Sequence, residues 1–112
     1  MMNLNQLILN TLKDVGSPVD YLNYTGSERT YITFFEYDQS AGLEADDEEQ
    51  NNVHYIQIDI FSSGNYLSLV KNAKKKMKQA GFKKNFETEM IEEDTKLYHK
   101  VLRFYFISET EE

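Results

Sequence analysis

Apolar residues along this chain follow two rhythms. In the middle, His54-Tyr55-Ile56-Gln57-Ile58-Asp59-Ile60-Phe61 alternates with period two, which puts Ile56, Ile58 and Ile60 on one face of a strand. Ser62-Ser63-Gly64-Asn65 interrupts it, and Tyr66, Leu69, Val70, Ala73, Met77 and Ala80 follow at helical spacing. Ser63 or Asn65 is placed to cap that helix, and Gly81 to end it, with Phe82 packing back on the last turn. Near the N-terminus, Leu4, Leu7, Ile8, Thr11, Leu12 and Val15 share one helical face, so the spacing predicts a helix over 4–15. Asn3 stands at its N-cap position with Gln6 three residues on, and Gly16 and Pro18 close it.

The remaining segments read as strands and turns. Val19 to Tyr24 is rich in β-formers, Thr25-Gly26-Ser27-Glu28 is a turn signal, and Thr30 to Tyr37 is a strong strand by propensity, so the pair reads as a hairpin. Tyr31, Thr33, Phe35 and Tyr37 share one face, and Ile32 and Phe34 the other. Both faces carry apolar groups, so alternation leaves open which is buried. Asp38 to Asn52 is polar, acidic and aperiodic, and reads as a long exposed loop. Lys84, Phe86, Thr88 and Met90 alternate, giving a strand over 83–91. Glu92 to Lys96 is a polar turn, Leu97 to Ser108 the last strand, and Glu109 to Glu112 a frayed tail. The order α-β-β-β-α-β-β predicts an α+β two-layer sandwich, a mostly antiparallel sheet of about five strands packed by two helices.

Length and composition narrow this further. The 112 residues suit a single domain over 1–112, and 40% hydrophobic content with fifteen aromatic residues, eight Tyr and seven Phe, suits a packed core. The absence of Cys excludes a disulfide scaffold, a thiolate zinc site and a Cys nucleophile. No apolar run approaches the roughly 20 residues that span a bilayer, and the N-terminus has no signal-peptide pattern. The net charge of -7 argues against nonspecific nucleic-acid binding. It is unevenly spread: Asp46-Asp47-Glu48-Glu49 lies in the acidic loop, whereas Lys71, Lys74, Lys75 and Lys78 form a basic flank on the second helix.

Candidate chemistry is sparse. The run Glu44 to Glu49 could attract a hard cation, but it lacks the alternating oxygen ligands and central glycine of an EF-hand loop, and a solvated or protein-contacting loop is the expected reading. His54 and His99 each read as beginning a strand, with no ligand on a shared helical face. Asp59, five residues from His54, points to the opposite side of the strand. Ser62 and Ser63 lack a nucleophile elbow, and glycine-rich phosphate loops are absent. No catalytic, metal or cofactor residue is expected. The lysine flank could meet phosphates or an acidic surface, or simply keep an exposed helix face soluble.

Several blocks taken in order carry a resemblance. These are Tyr31-Ile32-Thr33-Phe34-Phe35-Glu36-Tyr37, the acidic Ala45 to Glu49, His54 to Ser62, a lysine-rich helix ending Ala80-Gly81-Phe82, and Tyr98-His99-Lys100-Val101-Leu102-Arg103-Phe104. Together they resemble the small tail-to-head joining, or tail completion and terminator-like, proteins of long-tailed bacteriophages and prophages. The similarity covers nearly the whole chain and rests on order and spacing, not on one motif. It implies a non-enzymatic virion assembly protein with a sheet packed on helices, assembling as a ring, typically hexameric, at the junction of tail tube and head. Its implied partners are copies of itself and connector or tail-tube proteins, with no membrane and no sequence-specific nucleic acid. Its implied location is the virion, after the host cytoplasm.

A ring closes through heterologous contacts, for which Asp46, Asp47, Glu48 and Glu49 and the flank Lys71, Lys74, Lys75 and Lys78 offer opposite signs. Tyr31, Phe35 and Tyr37 would supply affinity. An alternative that fits the same charges is a small acidic interaction module of prophage origin, an adaptor or inhibitor.

Overall fold

Seven elements form: α1 (Leu4–Leu12), β1 (Val19–Tyr21), β2 (Tyr31–Ala41), β3 (Asn51–Ser62), α2 (Leu67–Gln79), β4 (Lys83–Ile91) and β5 (Tyr98–Glu109). The structure, a computed structural model, describes residues 3–41 and 51–109. The strands make one five-stranded sheet in the order β1-β2-β3-β5-β4. Both helices pack on the same face of it. Ile8 and Leu12 of α1 and Val70, Ala73 and Met77 of α2 join Ile32, Phe34, Ile56, Ile58, Ile60, Leu102 and Phe104 of the sheet in one core. Each fully buried Ile, Leu, Phe or Met side chain there contributes about 1.5–3 kcal/mol relative to exposure. The α+β two-layer architecture and the element order are those the pattern predicts.

The helix ends follow from their capping residues. Asn3 Oδ1 accepts from the Gln6 amide at 2.8 Å, satisfying one of the free donors of the first turn. At α2 neither Ser63 nor Asn65 is the N-cap residue: that is Tyr66, with no side-chain capping bond, and Asn65 just before it accepts from the Leu67 amide at 3.0 Å. Gly81 has φ +100, a conformation that favours glycine. Phe82 N donates to Met77 O and Gly81 N to Lys78 O, both at 3.0 Å, which is the Schellman pattern. That reversal delivers Phe82 into the core. An Asn72 side chain donating to Val15 O at 3.1 Å ties α2 to the end of α1.

Four expectations need correction. First, α1 stops at Leu12, not at residue 15; Val15 is buried from the turn that follows, its amide bonded to Leu12 O. Second, Val19 to Tyr24 and Thr30 to Tyr37 do not form a hairpin. β1 ends at Tyr21 and pairs with β2 in parallel, Val19 opposite Ile32 and Tyr21 opposite Phe34. The connection reverses twice, once at Leu22 with φ 67 and once through Thr25 to Glu28, where the Glu28 amide donates to the Tyr24 hydroxyl. Two reversals restore the original direction, and turn residues alone do not count them.

Third, the segment read as a loop over 38–52 is largely strand at its ends. Asp38, Gln39 and Ser40 pair with Tyr55, His54 and Val53 after a bulge between Glu36 and Asp38. Ladder hydrogen bonds use backbone groups, so polar side chains do not stop them. The acidic run Asp46 to Glu49 lies outside the described residues, as do residues 110–112; Glu109 itself is the last residue of β5. Fourth, Lys84 does not share a face with Phe86, Thr88 and Met90. A register shift between Lys84 and Phe86 sets Lys84 opposite Phe104 and Phe86 opposite Arg103, so the bulge turns Lys84 to the helix side.

Candidate docking surfaces

The sheet face away from the helices carries Tyr31, Thr33 and Phe35 of β2, Gln57, Asp59 and Phe61 of β3, His99, Val101 and Arg103 of β5, and Phe86, Thr88 and Met90 of β4, as the pairing registers require. The structure thereby settles which side of β2 is buried under the helices: that of Ile32 and Phe34, both fully buried. The opposite face shields itself. Tyr24 stacks on Tyr31 at 4.3 Å, Tyr31 on Phe61 at 4.9 Å, and Phe61 on the His99 ring at 4.2 Å, a ladder across three strands and a loop. Gly26 fits beside it because a Cβ there would collide with the Tyr24 ring.

A polar chain runs through this face. His99 Nδ1 bonds Glu92 Oε2 at 2.7 Å and His99 Nε2 bonds Asp59 Oδ1 at 2.7 Å. Gln57 Nε2 donates to the same Asp59 oxygen at 2.9 Å, and Arg103 Nε donates to Gln57 Oε1 at 3.0 Å. The Arg103 guanidinium lies over the rings of Tyr37 and Phe86, 4.8 and 5.1 Å from the ring centroids. Burial opposes charge on His99, but the hydrogen bonds and negative charges of Asp59 and Glu92 outweigh it and raise its pKa above the usual imidazole value. The same Glu92, after burial, contributes to raising the Tyr31 pKa.

Both histidines are held by side-chain partners. Both ring nitrogens of His99 are taken by carboxylates. Those of His54, on the helix side of the protruding strands, are taken by Glu36 Oε2 at 2.6 Å and Ser108 Oγ at 3.1 Å. Among the described residues no three His, Cys, Asp or Glu side chains gather as a metal site. None of their helices is long and apolar enough to cross a membrane.

The expected lysines occupy one sector of α2, with Lys74 and Lys75 shared between two concavities. Lys71 lies toward the end of α1, beside a shallow hollow that includes Val15 and Gly16. Lys74, Lys75 and Lys78 border a groove of about 740 Å³ facing Lys84 of β4, lined also by Phe82 and Phe104. Beneath it, Glu87 is bonded by Lys100 at 2.8 Å, Lys84 at 2.7 Å and Lys74 at 3.1 Å. These contacts, Lys100 foremost, hold its carboxyl down at about pKa 2.

Tyr31, Phe35 and Tyr37 all sit on the open face, but not alike: Tyr31 is locked inside the ladder, Phe35 is half-buried, and Tyr37 is 39% exposed under Arg103. Reading the sequence missed Phe86 and Met90, which are exposed on the same face. Their alternation with Thr88 was visible, and their neighbours were not. It also missed the convergence on Glu87, whose three lysines come from three different elements.

No protein-family model and no curated protein matches the chain. Among solved structures the fold is similar to that of a chain in "Virion of native gene transfer agent (GTA) particle", with a TM-score of 0.70 at 16% identity, covering 96% of this chain and 95% of that one.

Proposed function

We propose that this chain is a non-enzymatic structural protein of a phage-type virion, acting at the head–tail junction as a tail completion or joining component. The observation that carries the reading is the end-to-end correspondence of fold with a virion chain. The order of blocks that resembles tail-to-head joining proteins agrees with it. So does the lysine sector of α2, a surface suited to docking an acidic partner. On this reading the protein waits in the host cytoplasm and then forms a ring through heterologous contacts with its own copies, capping or bridging connector and tail-tube proteins. Lys71, Lys74, Lys75 and Lys78, the acidic segment Asp46 to Glu49, and the aromatic face with Tyr31, Phe35 and Tyr37 are its candidate contact surfaces. Exposed ion pairs set register and partner choice, each worth roughly 0–1 kcal/mol, and aromatic burial supplies affinity.

The test is genetic and structural. Deleting the gene from its particle-producing genome should leave full heads and separate tails under the electron microscope, and the protein should appear by mass spectrometry in purified wild-type particles. Joined particles in the deletion strain, or a stable complex with a host protein and no incorporation, would replace this reading with the adaptor or inhibitor alternative.

A further inference from the structure

We propose that the groove between α2 and β4 is the seat for the acidic segment of a second copy of this chain, with Leu43 over Phe82 and Phe104 and Glu44 to Glu49 along its lysines. The inference rests on the self-association read above and names where that contact is made.

The groove is built for an anion with an apolar anchor. Its walls are lysines, and beneath them lie Phe82 and Phe104, both nearly wholly buried. Lys74, Lys84 and Lys100 converge on the single carboxylate of Glu87, three cations on one anion, which leaves two positive charges over. Lys75 and Lys78 pair with no carboxylate among the described residues. Glu89, the next acid on the same face of β4, is engaged by the Tyr66 hydroxyl at 2.9 Å and is not turned to the groove lysines. Clustered like charge of this kind raises the free energy of the bare surface and favours an incoming anion.

The complementary sequence is in the chain itself. Between the end of β2 and the start of β3 stand Gly42-Leu43-Glu44-Ala45-Asp46-Asp47-Glu48-Glu49-Gln50, an apolar residue next to five acids. Its own groove is a poor fit in cis. Asn51 pairs with Glu109, five residues beyond Phe104 along β5, or about 17 Å at the rise of a strand. Nine residues with both ends held side by side reach back about that far only when fully doubled and extended. A neighbouring copy has no such limit. A segment on one side of a protomer entering a groove on another is a heterologous contact, the kind that closes rings.

The probe is a fluorescent synthetic peptide of residues 42–50, titrated into the full-length protein, with sedimentation measured separately. The peptide should bind, and Lys75→Glu with Lys78→Glu should weaken it about tenfold or more, as should added salt. Leu43→Asp in the peptide should weaken it further, and Glu87→Gln in the protein should tighten it by removing the competing carboxylate. Lys71→Glu, outside the groove, should change it least. Thermal melts would confirm that these substitutions leave the fold intact. No peptide binding, or binding indifferent to Lys75 and Lys78, overturns the groove even if the protein sediments as a ring. Peptide binding without any ring in sedimentation keeps the groove and sinks the ring.

Discussion

The two faces of the sheet exclude water by different means. The helix side is apolar: Ile32, Phe34, Ile56, Ile58, Ile60, Leu102 and Phe104 meet side chains of α1 and α2 and are almost wholly buried. The open side has no layer above it, yet Thr33, Asp59 and Val101 are only 5–7% exposed. There the shielding comes from the neighbours on the same surface. Tyr31, Phe61 and His99 stack face to face across the strands, and the Arg103 guanidinium lies over the rings of Tyr37 and Phe86. A buried carboxylate is tolerable on that side because His99 and Gln57 satisfy it. Among the described residues no buried side-chain nitrogen or oxygen lacks a partner. One face is therefore held by packed volume and the other by a connected network, and the two should fail differently.

The largest effect belongs to the covered face. Phe104→Ala should cost about 3–5 kcal/mol in urea unfolding, through lost transfer energy and a cavity that two helices and three strands cannot collapse around. Next comes Asp59→Ala, at about 2 kcal/mol, since it strips the acceptor from both His99 Nε2 and the Gln57 amide. A cost near zero would mean the network contributes nothing and the open face is held by its rings alone.

The pH dependence should also separate the faces. A folded-state pKa above the ordinary value of 6.5 means that His99 stabilises the fold fully below that value. The contribution is then lost as pH rises through the elevated folded value, because the neutral ring no longer pairs with two carboxylates. Stability measured across this window should fall in the wild type and stay level in His99→Gln. The smallest change is expected for Tyr37→Ala, about 0.5–1 kcal/mol, reporting one of the two ring contacts of Arg103. A cost comparable to that of Phe104→Ala would erase the distinction between the faces.

Much of the helix side was legible because it is written in local spacing. Ile56, Ile58 and Ile60 mark a buried strand face by period two, and Val70, Ala73 and Met77 mark a buried helix face by their own period. Gly81-Phe82 announced a helix end that the hydrogen bonds confirm. The lysine sector of α2 was equally visible. The open face was not. His99 and Asp59 are 40 positions apart and meet only because β3 and β5 are neighbours in a particular register. Arg103 reaches Phe86 for the same reason on the other edge of β5.

The chain's own pattern therefore determined the number, kind and order of the elements and, for α1, α2 and β3, which residues each hides from water. Such information lies within a few residues along one element and depends on periods that the backbone imposes. The tertiary structure alone decided the parallel pairing of β1, the extension of β2 and β3 through polar residues, and the bulge that carries Lys84 to the groove. It also decided the gathering of Glu92, His99, Asp59, Gln57 and Arg103. Those depend on strand order and register, which are set by the sum of many small contacts between distant segments and leave no periodic trace in any one of them.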